Sequence, residues 1–276
     1  MKNNSPERVA SIPVALTIAG SDSSGGAGIQ ADLRTFAFHQ VHGTSAITCV
    51  TAQNTLGVNR VDALPPEAVT AQIQAVVSDI EVQAIKTGML LNREIIEAVA
   101  IALESYHLHP LVVDPVMVSR TGAQLIDDQA IAILTRQVLP KAMIVTPNRH
   151  EAQLLAGMDI QTLQEMEAAA RKIHHLGCPN VLVKGGGLPG ALRGVDLWFD
   201  GSDVVVLKTE PIDTFHTHGT GCTLSAAVAA NLALGLSPLA ATQSAKQYVT
   251  TALKHSLAIG QGQGPVGHWF PLLSRP

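Results

Sequence analysis

A chain of 276 residues with 46% hydrophobic and only 14% charged residues can bury a large core, which excludes a disordered protein. A net charge of −4 and an aromatic content of 3% leave neither a basic field for duplex nucleic acid nor a stacking surface for single strands. Cys49, Cys178 and Cys222 are odd in number and scattered without a CxxC pair, so no disulfide framework or zinc site is indicated and a reducing cytoplasm fits best.

Residues 1–11 read as a flexible polar tail, and 12–276 as a single domain. Lys2 and Arg8 ahead of the apolar run 12–19 imitate a short signal peptide. That run leads directly into a glycine loop, however, and reads better as a buried first strand. No stretch reaches the roughly 18 uninterrupted apolar residues that a membrane span requires. Short β-branched runs then alternate with longer amphipathic segments. Strands are expected at 14–19, 44–50, 83–86, 111–114, 142–145 and 180–184, and helices at 28–39, 66–79, 92–106, 127–138 and 162–176, with Pro65-Pro66 and Asn92 as start signals. Segments 194–199 and 203–207 flank Asp200-Gly201-Ser202 and form a hairpin; helices at 220–234 and 238–258 and a loop at 261–265 follow. This order predicts an α/β fold with helices covering a mostly parallel sheet.

Ligands of open α/β sheets collect where strands end, so the strand exits are read together. They are Gly20–Gly28 with Asp32 beyond, Gln53-Asn54, Gly88-Met89, Asp114-Pro115-Val116-Met117, Asn148 with Glu151, and Lys184-Gly185-Gly186-Gly187. The glycine run at 25–28 does not open a G-x-G-x-x-G fingerprint, and no G-x-x-x-x-G-K-[ST] loop occurs, which disfavours two common nucleotide architectures.

The most informative segment is 215–227, where a turn bracketed by Gly219 and Gly221 runs into an Ala-rich helix. First-turn amides lack intrahelical acceptors, and the helix dipole attracts an anion to them. Cys222 lies in that field, where its thiol pKa is expected to fall. The plainer alternative is a tightly packed small-residue turn with a buried cysteine.

As a set, the motifs Gly20–Leu33, Ala52–Thr55, Asp114–Met117, Thr146–Asn148 through Glu151, Lys184–Gly186 and His218–Cys222 resemble the hydroxymethylpyrimidine/phosphomethylpyrimidine kinase family of thiamine biosynthesis, over residues 14 to about 268. The resemblance implies a ribokinase-like three-layer sandwich with a mostly parallel central sheet, a homodimer, ATP with Mg²⁺, and stepwise phosphorylation of an aminopyrimidine alcohol and then of its monophosphate. It implies an anion hole at Gly219, Thr220, Gly221 and Cys222, with Cys222 as base where most sugar kinases of the fold carry aspartate. Gly20, Asp32, Gln53, Met89 and Val116 would surround the pyrimidine, with the Gln53 carboxamide pairing to its edge. Asp114 and Glu151 would hold Mg²⁺, and Asn148, Lys184 and Lys246 would contact the nucleotide.

Each residue also has an ordinary structural reading: Gln53 a strand-end amide, Asp32 a carboxylate favoured by the helix dipole, Met89 and Val116 core, Lys246 a solvated helical lysine. Where many relatives have His after Lys-Gly-Gly, this chain has Gly187-Leu188-Pro189-Gly190, and 186–194 is a candidate lid. The alternatives are a pyridoxal kinase of the same fold and a catalytically silent vitamin-binding protein. No nucleic acid or membrane partner is expected.

Overall fold

The computed structural model describes residues 12–118, 124–186 and 190–273. The expected tail at 1–11 and the centre of the candidate lid, 187–189, lie outside them. Among the described residues, nine strands form one sheet: β1 (Val14–Asp22), β2 (His42–Gln53), β3 (Val58–Ala63), β4 (Ala84–Thr87), β5 (Leu111–Val113), β6 (Ile144–Val145), β7 (Asn180–Lys184), β8 (Val195–Phe199) and β9 (Val204–Lys208). Their spatial order is β3-β2-β1-β4-β5-β6-β7-β8-β9. Strands β2, β1, β4, β5, β6 and β7 run parallel, while β3, and the β8–β9 hairpin through β8, join antiparallel. The chain reverses its direction of winding between β1 and β4, which creates a crevice at their carboxyl ends.

Helices α2 (Pro66–Val77), α3 (Arg93–Ser105), α4 (Asp128–Ile133), α5 (Arg149–Ala156) and α6 (Leu163–His174) supply the core on one face of the sheet. On the other, α1 (Gly28–Phe38), α7 (Thr220–Ala233) and α8 (Pro238–Lys254) pack a second cluster with Ala15, Ala84, Val112, Ile144, Leu182 and Trp198. Alternation along the strands separates the two cores: Leu16, Ile18, Ile85, Val113 and Val183 face the first. In α7 every residue from Thr223 to Leu232 is buried. A small-residue run can pass this closely over a sheet without overpacking.

The β-α order and the hairpin agree with the sequence reading, and Asn92 caps α3 by accepting the Ile95 N–H at 3.0 Å. Three parts differ. β3 is a strand whose residues are all exposed and which therefore shows no buried alternation to read. The expected helix at 127–138 is α-helical only to Ile133, then widens into a π turn at Leu134–Val138. Helix α5 was read only as a pair of ligand residues, although Asn148 and Glu151 spell an N-x-x-E cap, and both of its reciprocal hydrogen bonds form.

Two glycines with left-handed backbones separate steric from conformational cost. Gly157 (φ +61°) ends α5 with nothing near a notional Cβ, whereas Gly28 (φ +57°) would drive its Cβ into the Gly20 carbonyl. Gly157→Ala is expected to cost about 1–2 kcal/mol, the left-handed penalty alone. Gly28→Ala should exceed that clearly, as read from urea unfolding midpoints.

Candidate active site

The alternation that separates the cores also builds the site. Thr17, Lys86, Asp114, Lys184 and Asp196 have the same parity as the apolar residues facing α7, and the four charged ones sit where the strands meet the loops. The α7 face thus changes from apolar to a row of buried charges. Asp32 on α1 joins it: its Oδ2 accepts from Lys86 Nζ at 2.8 Å and from Thr17 Oγ1 at 2.7 Å, all three side chains being buried. Burial works against the Lys86 ammonium, but Asp32, Cys222 and Asp114 outweigh it and hold its proton more firmly than usual. Burial raises the Asp32 carboxyl despite Lys86.

Asp114, also buried, accepts from Lys184 Nζ at 2.9 Å and from Ser225 Oγ at 3.1 Å. Against its burial, Lys184 and then Lys86 keep this carboxyl below the usual range. The first turn of α7 lies on this pair, since a Cβ on Gly221 would stand 3.4 Å from Lys184 Nζ and 3.8 Å from Asp114 Oδ2.

Two glycine loops interlock above the row. The β1–α1 loop passes so close to the α7 entrance that a Cβ on Gly219 would overlap the Gly26 carbonyl, and one on Gly26 would overlap the His218 ring. Gly219 has φ +80°, which opens the turn before α7. Asp22 ties the loops together: its Oδ2 meets His218 Nε2 at 2.8 Å and accepts the Ala27 N–H at 2.8 Å, while Oδ1 accepts the Ser24 N–H at 2.9 Å. Burial raises this carboxyl, yet His218, Ser24 and the loop amides bring it down to about 2. Gln53 Nε2 approaches His218 Nε2 at 3.2 Å, which brings the half-buried carboxamide to the same corner.

At the start of α7 the first in-helix bond is from Thr223 N–H to the Gly219 carbonyl, 2.8 Å, so the preceding amides have no intrahelical acceptor. Thr220 is partly committed, its amide and hydroxyl both donating to the Thr217 carbonyl at 3.3 and 2.7 Å. Cys222 is half-buried and receives the Gly28 N–H. The expectation of a lowered thiol pKa is not met: burial raises it, Lys86 opposes, Asp32 and Asp114 add to the rise, and the thiol stands at about 11. Enclosure among carboxylates outweighs the helix terminus.

Asp32 is fully buried, its Oδ2 held by Lys86 and Thr17 while its Oδ1 has no hydrogen-bond partner among the described residues. The solvated reading of Lys246 is corrected. Lys246 is neither solvated nor free for a phosphate: its ammonium donates to Asp196 Oδ2 at 2.6 Å and to the Gly194 carbonyl at 2.9 Å, largely buried. Gly20 and Met89 do come together, a notional Cβ on Gly20 lying 3.0 Å from Met89 Cε. Val116, half-buried, follows Asp114 in a tight turn closed by its N–H on the Asp114 carbonyl, 2.8 Å. Glu151 is buried and gives one oxygen to the Asn148 N–H at 2.7 Å. Burial, opposed by Lys184 and reinforced by Asp114, pushes its carboxyl up to about 8. Asn148 Oδ1 is used by the Glu151 amide, which leaves its Nδ2 donors for a ligand. Sequence reasoning missed Lys86, Asp22 and His218 as site residues; a lysine in an otherwise apolar β4 run was the available signal for the first.

An anion-accepting helix start, a buried lysine–aspartate pair beneath it and a crevice at the turning point of a parallel sheet define a phosphotransferase of α/β architecture. The family model for phosphomethylpyrimidine kinase matches residues 22–267. A hydroxymethylpyrimidine/phosphomethylpyrimidine kinase from Synechococcus elongatus is 66% identical over 95% of this chain and 99% of its own length. Among solved structures, an ADP complex of Bacillus subtilis pyridoxal kinase superposes with a TM-score of 0.89 at 41% identity, covering 96% of this chain and all of that one. A phosphomethylpyrimidine kinase from Clostridium difficile gives 0.79 at 41% identity, covering 87% of this chain and 99% of that one. The chain belongs to the phosphomethylpyrimidine kinase family, and its fold is the ribokinase-like three-layer sandwich.

Lys86→Met strands the Asp32 carboxylate in the core, and is expected to cost about 3–5 kcal/mol in urea unfolding; adding Asp32→Asn should return much of that. Glu151 gives a pH signature. Its raised pKa means the folded protein keeps a proton that the unfolded chain releases between pH 4.5 and about 8. Stability should therefore decline as pH rises through that window, and Glu151→Gln should flatten the decline.

Proposed function

We propose that the protein transfers the γ-phosphoryl group of ATP to 4-amino-5-hydroxymethyl-2-methylpyrimidine and then to the resulting monophosphate, giving the diphosphate used in thiamine diphosphate synthesis. The observation that carries this reading is the α7 entrance set over the Asp114–Lys184 pair: amide donors, an ammonium and a carboxylate converge where a transferring phosphoryl group needs charge neutralised. The pyrimidine lies toward Gly20, Gln53, Met89 and Val116, beside Cys222, with Lys86 as the cation that favours the thiolate. The nucleotide phosphates lie toward Asn148 and Lys184. The protein acts in the cytoplasm, as one domain over 12–276; among the described residues no helix is long and apolar enough to cross a membrane. It pairs as a homodimer, for which the exposed edge strand β3 offers a surface.

Asp114 and Glu151 fit a magnesium ion. Magnesium takes one or two carboxylates and completes its shell with water and phosphate oxygens, and these two lie close enough for the Asp114 charge to raise the Glu151 carboxyl. Glu151, protonated near neutrality because of burial and Asp114, is a carboxyl that a divalent cation would ionise. Bound there, the ion would neutralise charge on the β- and γ-phosphate oxygens.

Cys222 takes the hydroxymethyl proton in the first transfer. With a thiol at about 11, thiolate amounts to on the order of one part in ten thousand at pH 7. The first transfer should therefore accelerate about tenfold per pH unit between pH 7 and 9. The second acceptor is already ionised and should show little of this rise. Cys222→Ala should abolish the slope and slow the first transfer far more than the second; equal losses in both steps would remove Cys222 as the base.

The high similarity to pyridoxal kinase supports a second activity, phosphorylation of pyridoxal at the same site. Incubation with ATP–Mg²⁺ and either vitamin precursor, followed by product mass, separates the readings. Two added phosphates on the pyrimidine support the first, one phosphate on pyridoxal alone supports the second, and binding without turnover defeats both.

A further inference from the structure

Lys184 and Asp196 are directly opposite each other across β7 and β8. Residues so paired point to the same face with Cβ atoms about 4.5–5.5 Å apart, within reach of a long side chain. Lys184 nevertheless donates to Asp114 at 2.9 Å, while Asp196 is taken by Lys246 from α8 at 2.6 Å. Two carboxylates and two ammonium groups thus share one largely buried strip, their side chains no more than 12% exposed, and Lys184 lies within reach of both carboxylates. In the pairing observed the Lys184 ammonium lies beneath the first turn of α7.

The remaining bonds hold Lys246 and Asp196 in place. Asp196 Oδ1 accepts the Gly185 N–H at 3.0 Å, and Lys246 Nζ also donates to the Gly194 carbonyl at 2.9 Å. The geometry points to Lys246 as a positioning residue: it saturates Asp196 so that Lys184 remains on Asp114 and available to the nucleotide phosphate. Without Lys246, Asp196 is a buried carboxylate lacking a counter-ion, and its nearest replacement is Lys184 across the strand pair. Lys184 would then turn away from Asp114, which would lose its own partner in the same movement. Lys246 thereby acts on the phosphate site without touching it.

This inference rests on the reading of Lys184 as a phosphate-binding residue, and Lys184→Met tests that reading separately through its KM for ATP. If that variant keeps the parent KM, the reading of Lys184 fails on its own. For Lys246, the measurement is steady-state KM and kcat for ATP in the full-length protein, with the ADP–Mg²⁺ dissociation constant from calorimetry. Lys246→Met should raise the KM and the dissociation constant at least tenfold. The double variant Lys246→Met/Asp196→Asn should recover to within about threefold of the parent, because the amide keeps the Gly185 bond and has no charge to capture Lys184. A Lys246→Met variant with parental KM, or a double variant as impaired as the single one, overturns the inference. If Lys246→Met does not fold, the double variant is compared with the parent: a KM within about threefold supports the inference, and a tenfold rise overturns it.

Discussion

Charge removed from water must find a partner, and this requirement orders the whole carboxyl edge of the sheet. Three carboxylate–ammonium pairs, Asp32–Lys86, Asp114–Lys184 and Asp196–Lys246, lie on the face covered by α1, α7 and α8. They join different elements: α1 to β4, the β5 exit to β7, and β8 to α8. A strand or helix displaced in this region would separate a buried pair, so the pairs specify position as well as charge. The small residues of α7 make the arrangement possible, because they let the helix pass close over the strip with its open amides directed at it.

A second constraint is steric. The β1–α1 loop and the α7 entrance occupy space that side chains would fill, as Gly26, Gly28 and Gly219 each show. Asp22 and His218 then tie the two loops through one short polar contact. The end of β2 carrying Gln53 and the α7 entrance carrying Cys222 are thereby tied together through His218. Preorganisation of this kind matters most in a reaction where alignment and charge do the greater part of the catalysis.

Much of this was legible in the sequence, because motif order and strand exits are local signals. Alternating apolar runs located every parallel strand, and the glycine-bracketed turn located α7. Other features depended on distant partners. Lys86 reads as a lone charge in a short apolar strand until Asp32 is brought against it. Lys246 reads as a phosphate contact or a solvated helical lysine because nothing near it in the chain reveals Asp196. The thiol of Cys222 was expected to be acidic from its helix position, but its burial, and then the carboxylates from α1 and the β5 exit, depend on distant parts of the chain. β3 escaped notice because an edge strand exposed along its length has no buried face to impose a period. Asn148 and Glu151 show the reverse case: the capping signal was present, but the ligand reading concealed it.

The reversal of winding between β1 and β4 also divides labour within the sheet. On the β1–β4 side the sheet carries one buried ion pair, Asp32–Lys86, whereas β5 through β8 carry two, Asp114–Lys184 and Asp196–Lys246. The three pairs join different elements, so losing one strands a single buried charge and leaves the partners of the other two in place.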